Sequence, residues 1–283
     1  MRLVGCGDSW CWGAELVDPA EEPTPIMELE GDNFWRQQKP VNVKYREKHR
    51  YLNILGEKLN AAEIIDLSKP AFSNEAIIRV LIQWLSSEGY TRGRDTSELF
   101  ISIGWTSPER REFYTSSGKE KTFSEVYYEL GPWSLDKDHG NPDINDFFKT
   151  YVIHFWREKE FMTRWIHDVF KTEALLKHLN IKYVMHQAFY HYYQKMANEW
   201  NDKKYKEEAF EWLPNSEIKL WEDIDPVRFM NKDDEIKGTA HHYLLNQAAG
   251  DFDQVMLVWH PNEYGHHLWA EYLYNYITEN KLC

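Results

Sequence analysis

Apolar positions along the chain fall into two kinds of run. Short unbroken ones have the length and branched-residue content of buried strands: Leu3-Val4 after the start, AEIIDL (62–67), ELFISIG (98–104) and IKYVMHQ (181–187). A weaker fifth candidate lies near Ile218 to Leu220. Between them the spacing changes to that of helices. Tyr45 to Leu59 reads as one helix with Leu52, Leu55 and Leu59 on a face. Ser73 stands as a cap before a stripe of Ile77, Val80, Leu81 and Trp84. A long helix or helix pair covers about Ile144 to Leu179, and a last helix runs from about Asn262 to Thr278. The stretch DPAEEPTP (18–25) is a loop, 109–142 reads as a polar, irregular excursion over the surface, and 221–255 as mostly connection.

Strands and helices alternating in this way predict a parallel sheet with helices on both faces. The expected fold is α/β, a three-layer α/β/α sandwich with flavodoxin-like strand order 2-1-3-4-5. It forms a single domain over residues 1–283, with a surface insertion at about 109–142. In that order strand 1 lies between strands 2 and 3, and ligands bind at the carboxyl ends beside the point where the order reverses. Three turns would gather there: GDS (7–9), KPAFSN (69–74) and GWTS (104–107). In the first of them Gly5 and Gly7 are expected to let the backbone turn sharply.

Composition narrows the field of partners. At 283 residues the chain can bury a sizeable core, and 28% charged with 42% hydrophobic residues is the balance of a globular protein. A net charge of -13 leaves nothing basic to attract a phosphate backbone, so no nucleic acid partner is expected. No apolar run approaches the ~20 residues of a bilayer span, and the start lacks a basic-then-apolar leader. No membrane partner and a cytoplasmic location are the expectation. Three cysteines are too few for a disulfide framework and are expected to be free thiols. The 13 Trp, 17 Tyr and 14 Phe fit a core built of large rings or a surface that stacks on sugars, and composition does not choose between them.

Candidate chemistry sits at the two ends. Gly5-Cys6-Gly7-Asp8-Ser9-Trp10 has Trp10 where a dinucleotide loop needs its third glycine. The same stretch has Cys11 at the last position of the G-x-S-x-G elbow. A serine hydroxyl becomes a nucleophile when a base takes its proton. VWHPNEYGHHLWAEYL (258–273) offers His260, directly before Pro261-Asn262 at a helix start. The alternative there is a histidine that only satisfies a cap. His266 and His267, inside the helix, read as packing and surface groups. His241, His242, His260, His266 and His267 are numerous, yet none has HExxH or cysteine-rich spacing, so neither a metal nor another cofactor is expected.

With GDS near the start and HPNEYGH (260–266) before the last helix, the chain resembles the SGNH (GDSL-type) hydrolase family, in motif order over its whole length. KPAFSN looks like the family's second block and IGWTS (103–107) like its third. The wording GWTSPER is similar to uncharacterised members found in phage genomes. The resemblance implies the SGNH hydrolase fold and a serine esterase that cleaves a small acyl ester, with carbohydrate O-acetyl groups as one substrate class. It implies an acyl-enzyme on Ser9, with His260 as general base and then acid. The oxyanion donors it implies are the backbone N–H groups of Ser9 and Ala71 and the side chain of Thr106. Three positions depart from the family's pattern. Ala71 stands for glycine, Thr106 for asparagine, and Leu257 for the aspartate three residues before the histidine. The acid orienting His260 is then expected to be Asp253, Asp251 or something distant, or to be missing. Asp8 reads as a structural tie for its turn. A different class stays open: a binding or structural module that kept the fold while the site decayed.

Overall fold

The computed structural model describes residues 1–21, 34–114, 127–130, 142–155, 157–188, 215–234, 236–257 and 259–283. Its centre is a parallel four-stranded sheet of β1 (Arg2–Cys6), β2 (Glu63–Asp66), β3 (Leu99–Trp105) and β6 (Lys182–Gln187), in the order β2-β1-β3-β6. The first strand is therefore central, with Val4 beside Ile65 on one edge and Ile101 on the other. Successive side chains of a strand point to opposite faces, and the two cores divide accordingly. Val4, Ile101, Ile103 and Met185 meet Ile77 and Leu81 of α5 (Asn74–Ser87) and Trp165, Ile166 and Val169 of α7 (Glu158–His178). Leu3, Phe100 and Val184 meet Leu52 and Leu55 of α4 (Tyr51–Lys58) and Trp269, Leu273 and Ile277 of α10 (Glu263–Glu279). This is the three-layer α/β/α architecture.

Several elements differ from the sequence expectation. The helix expected over 45–59 is two, α3 (Pro40–His49) and α4, separated at Arg50. Arg50 is extended at ψ 149° and sends its guanidinium to Asp66 at the carboxyl end of β2, so a tertiary ion pair overrides helical continuity. The fifth strand expected near Ile218 is helical instead, α8 (Asn215–Asp223). Its pattern is an amphipathic one, with Trp221 buried and Ile218 and Leu220 partly buried against the core. The free edge of β6 is covered by single parallel bridges from Met185 to Phe229 and from Gln187 to Thr239. The excursion over 109–142 contains an antiparallel pair, β4 (Arg111–Tyr114) with β5 (Tyr127–Leu130). Residues 115–126 and 131–141 of it lie outside the described residues, as does the half of the 18–25 loop from residue 22 on. The helix pair over 144–179 is α6 (Pro142–Phe155) with α7, and the connection over 221–255 holds α9 (Ala240–Gln247). No described helix is long and apolar enough to cross a membrane.

The glycines of the opening turn serve space rather than a left-handed bend. A Cβ on Gly5 would lie 2.4 Å from a Leu52 methyl, and one on Gly7 would lie 2.1 Å from Cys11 Sγ. Neither has a positive φ. Bare backbone lets α4 and α1 (Ser9–Trp12) press against the sheet.

Candidate functional site

The site is built at the carboxyl ends of β1, β2 and β3. Asp8 ends the first turn as the N-cap of α1, its carboxylate accepting from the Trp10 N–H at 3.0 Å. A helix this short survives through its caps and packing. Gly13 closes it in the left-handed region, with φ 80°, and its N–H returns to the Ser9 carbonyl. Ala14 N–H reaches the same carbonyl at 2.9 Å. Ser9 is thus the first residue of a tightly closed turn, 6% exposed. Among the described residues neither its hydroxyl nor its N–H enters a hydrogen bond.

The second and third blocks are stitched to this turn. Lys69 N–H donates to the Gly7 carbonyl at 3.2 Å. Two residues on, Ala71 has φ 66°, the left-handed conformation that glycine adopts freely. The family's glycine is thus replaced with its backbone geometry retained, at a cost of about 1–2 kcal/mol for a residue with a Cβ. The Ala71 N–H, like that of Ser9, donates to no described group. Asn74 and Thr106 join the second and third blocks by a reciprocal pair of hydrogen bonds, Thr106 N–H to Asn74 Oδ1 at 2.9 Å and Asn74 Nδ2 to the Thr106 carbonyl at 3.1 Å.

Thr106 does not match the role the resemblance implied. Its hydroxyl donates to Asp8 Oδ2 at 2.6 Å, so with its N–H on Asn74 both of its protons are committed. The reason lies in Asp8, whose fully buried carboxylate requires donors on every side. It takes Arg110 Nη1 at 3.0 Å as well as Thr106 and Trp10. Arg110 Nη1 also lies 3.4 Å from the Phe72 carbonyl, so this guanidinium spans the first and second blocks. Asp8 is the structural tie expected of it.

His260 arrives from the other end of the chain on a tight hairpin. Met256 and Pro261 form an antiparallel bridge, and Leu257 N–H donates to the His260 carbonyl at 2.8 Å. Asn262 then caps α10, accepting from the Gly265 N–H at 2.8 Å, while its side-chain amide holds the Gln254 carbonyl. The cap is therefore Asn262 and not His260, whose ring is left over for another purpose. That ring lies 6.4 Å from the Trp10 ring, centroid to centroid, one residue from Ser9. Ser9 Oγ and the ring are not hydrogen-bonded to each other.

Asp253 is exposed on the 3-10 turn Phe252–Gln254, and Asp251, also exposed, accepts from Gln254 Nε2. The carboxylate beside His260 belongs instead to Glu15, with Oε1 3.0 Å from Nδ1. The contact lacks the alignment of a hydrogen bond and stands as a close ion-pair approach. Sequence reasoning missed Glu15 because the family's acid lies downstream, close to the histidine. The only local signal was a glutamate two residues after the Gly13 stop.

Behind the hairpin lies a small cavity lined by Trp10, Cys11, Tyr51, His186, His266 and Trp269, among others. Burial pushes His186 and His266 down to about 3, so both stay neutral. His266 is a packing group and His267 is exposed, in line with their positions on α10. Among the described residues no group of three or more His, Cys, Asp or Glu side chains is placed to hold a metal. Cys6 and Cys11 are buried free thiols, pushed up by burial, and Cys283 is free and exposed.

A family model described as "Family of unknown function (DUF6071)" matches residues 27–283, a span that contains Ala71, Thr106 and His260. No curated protein matches the chain. Solved structures similar to it include the psychrotrophic esterase EstA from Pseudoalteromonas sp., at 13% identity over 98% of this chain and 97% of that one, TM-score 0.41. TesA is similar at 10% identity over 99% of both chains, TM-score 0.44. A mutant of Axe2, an acetyl-xylooligosaccharide esterase from Geobacillus Stearmophilus, matches at 13% identity over 98% of this chain and 93% of that one, TM-score 0.42.

Proposed function

The chain belongs to the family of unknown function DUF6071, and for this member of it we propose a serine ester hydrolase of the SGNH type. Ser9 Oγ attacks the carbonyl carbon of a small acyl ester while His260 Nε2 takes the hydroxyl proton. The carbonyl electron pair moves onto oxygen, and the Ser9 and Ala71 N–H groups stabilise that charge. Collapse of the adduct breaks the ester C–O bond, and the leaving alkoxide takes the proton from His260. A water then repeats the sequence on the acyl-enzyme, which releases the carboxylic acid and restores Ser9.

One observation carries this reading: the two ends of the chain meet. His260, released from capping by Asn262, packs beside Trp10 on the turn that begins with Ser9. The unengaged Ser9 and Ala71 N–H groups on turns joined by Lys69 and Gly7 support the oxyanion assignment. Trp259 supports a carbohydrate ester as substrate, because it precedes His260 and is 65% exposed. An indole held in water at the mouth of a site is suited to stack on a sugar ring.

The second class, a binding module with a decayed site, is favoured by a single feature, the commitment of Thr106 to Asp8. Hydrolysis of p-nitrophenyl acetate separates the two. Turnover lost in both Ser9→Ala and His260→Gln supports the hydrolase, and turnover indistinguishable from Ser9→Ala in the unmodified protein supports the module. For the sugar, Trp259→Ala is expected to raise KM on acetylated xylo-oligosaccharides and to leave p-nitrophenyl acetate unaffected.

A further inference from the structure

We propose that Glu15 is the positioning carboxylate of His260, supplied from the nucleophile's own turn rather than from beside the histidine; this rests on the hydrolase reading of Ser9. Glu15 is 7% exposed and the His260 side chain 17%. One carboxylate oxygen faces Nδ1 at 3.0 Å, and the other accepts from the Trp259 N–H at 3.3 Å. Nδ1 is buried and has no other partner among the described residues, so Glu15 is its one candidate acceptor there. A carboxylate on that side selects the tautomer with the proton on Nδ1 and leaves the Nε2 lone pair for the Ser9 proton. Loose alignment in the absence of substrate is ordinary for such contacts.

The backbone around Glu15 is built to aim it. Glu15 has φ 70°, a conformation that residues with a side chain seldom adopt. Its own N–H is held by Gln37 Oε1 at 2.9 Å, and the preceding Ala14 N–H returns to the Ser9 carbonyl. Nucleophile and acid thus sit six residues apart on one braced turn. The base docks onto it through two consecutive residues, Trp259 and His260. The other carboxylates nearby are engaged elsewhere. Asp8 faces Trp10, Thr106 and Arg110, and Glu263 pairs with His49. Of the remaining titratable groups around the ring, His266 is neutral and feels His260, Arg50 and His49, while His241 packs against Trp10 and is also neutral, pushed by burial down to about 4. None of these supplies a negative charge to Nδ1.

The test uses the full chain in three forms: unmodified, Glu15→Gln and Glu15→Asp. Two readouts are taken on each. One is the proton resonance of His260 Nδ1–H by NMR, assigned by its absence from His260→Gln. The other is the rate at which a fluorophosphonate modifies Ser9. Gln keeps the shape and removes the charge, so the resonance is expected to move upfield, since a hydrogen bond to a carboxylate is the stronger one. Labelling is expected to slow by at least roughly 100-fold, as loss of the acid does in other triads, and Asp to restore part of both. A resonance that does not move overturns the role of Glu15 whatever the labelling does. If the resonance moves but the unmodified protein is never labelled, the hydrolase reading fails and the positioning role of Glu15 falls with it.

Discussion

Replacing Asp8 with alanine perturbs the knot that holds the three turns of the candidate site together, and its size can be worked from the contacts. The carboxylate is fully buried and accepts from Trp10 N–H, Thr106 Oγ and Arg110 Nη1. Loss of a helix cap costs about 1 kcal/mol. A hydrogen bond to a charged group contributes about 1.5–3 kcal/mol. The larger effect is what alanine leaves behind. The Arg110 side chain is 9% exposed, and removing the carboxylate from an ion pair buried to this extent costs about 3–5 kcal/mol. These costs overlap, because the Arg110 contact is itself one of the hydrogen bonds, so Asp8→Ala is expected to lose about 4 kcal/mol. That is a large share of the roughly 5–15 kcal/mol that holds a domain folded. Urea unfolding followed by tryptophan fluorescence reads the loss as a lower midpoint at unchanged slope. Arg110→Met should be costly by itself. The double variant should then lose less than the sum of the two, since it removes both members of the ion pair together. A loss below about 1 kcal/mol for Asp8→Ala, or strict additivity with Arg110→Met, would refute the buried-pair argument.

Ala71→Gly should stabilise the protein by about 0.5–1 kcal/mol, because relief of the left-handed alanine exceeds the added chain entropy of glycine; activity should persist, since the backbone N–H remains, and a drop in Tm would contradict this. Thr106→Val should destabilise by about 1.5–3 kcal/mol through the donor lost to Asp8, with the rate of Ser9 labelling unchanged; slowed labelling at full stability would return Thr106 to the oxyanion hole. Acid should unfold the protein through His186 and His266. Their pKa is about 3 when folded, against an ordinary value near 6.5, so the unfolded chain binds the extra protons between those values. The stabilisation is complete above pH 6.5 and drains as pH falls toward 3, by up to about 2.7 kcal/mol per pH unit for the pair. Urea midpoints measured from pH 7 to pH 4.5 check the slope, and a flat profile contradicts it.

Most of the sheet was readable because β1, β3 and β6 are short apolar runs largely buried on both faces, which is the composition a central parallel sheet requires, while the edge strand β2 is only partly buried. The alternation of strand and helix predicted parallel pairing, while the place of β1 between β2 and β3 came with the flavodoxin-like order and not from the alternation itself. Arg50 was not readable as a helix break, since its preference for Asp66 is a long-range pairing with no local signature. Ile218 to Leu220 was too short a stretch to separate strand from helix by period. Of the candidate site, Ser9, Ala71 and His260 were legible as motif positions, and their roles there are the proposal above. Thr106 was legible in place but not in partner, because only the fold reveals that Asp8 claims its hydroxyl. Glu15 was invisible to motif spacing. Its contact with His260 joins residues 245 positions apart, and no periodicity encodes such a meeting.

The most direct measurement is the mass of the peptide that carries a fluorophosphonate adduct after the intact protein is treated and digested. Modification on the N-terminal peptide at Ser9, absent from Ser9→Ala and strongly slowed in His260→Gln, is the result expected of a nucleophile served by a base from the far end of the chain. An unmodified Ser9 under conditions that label a known serine esterase would contradict it.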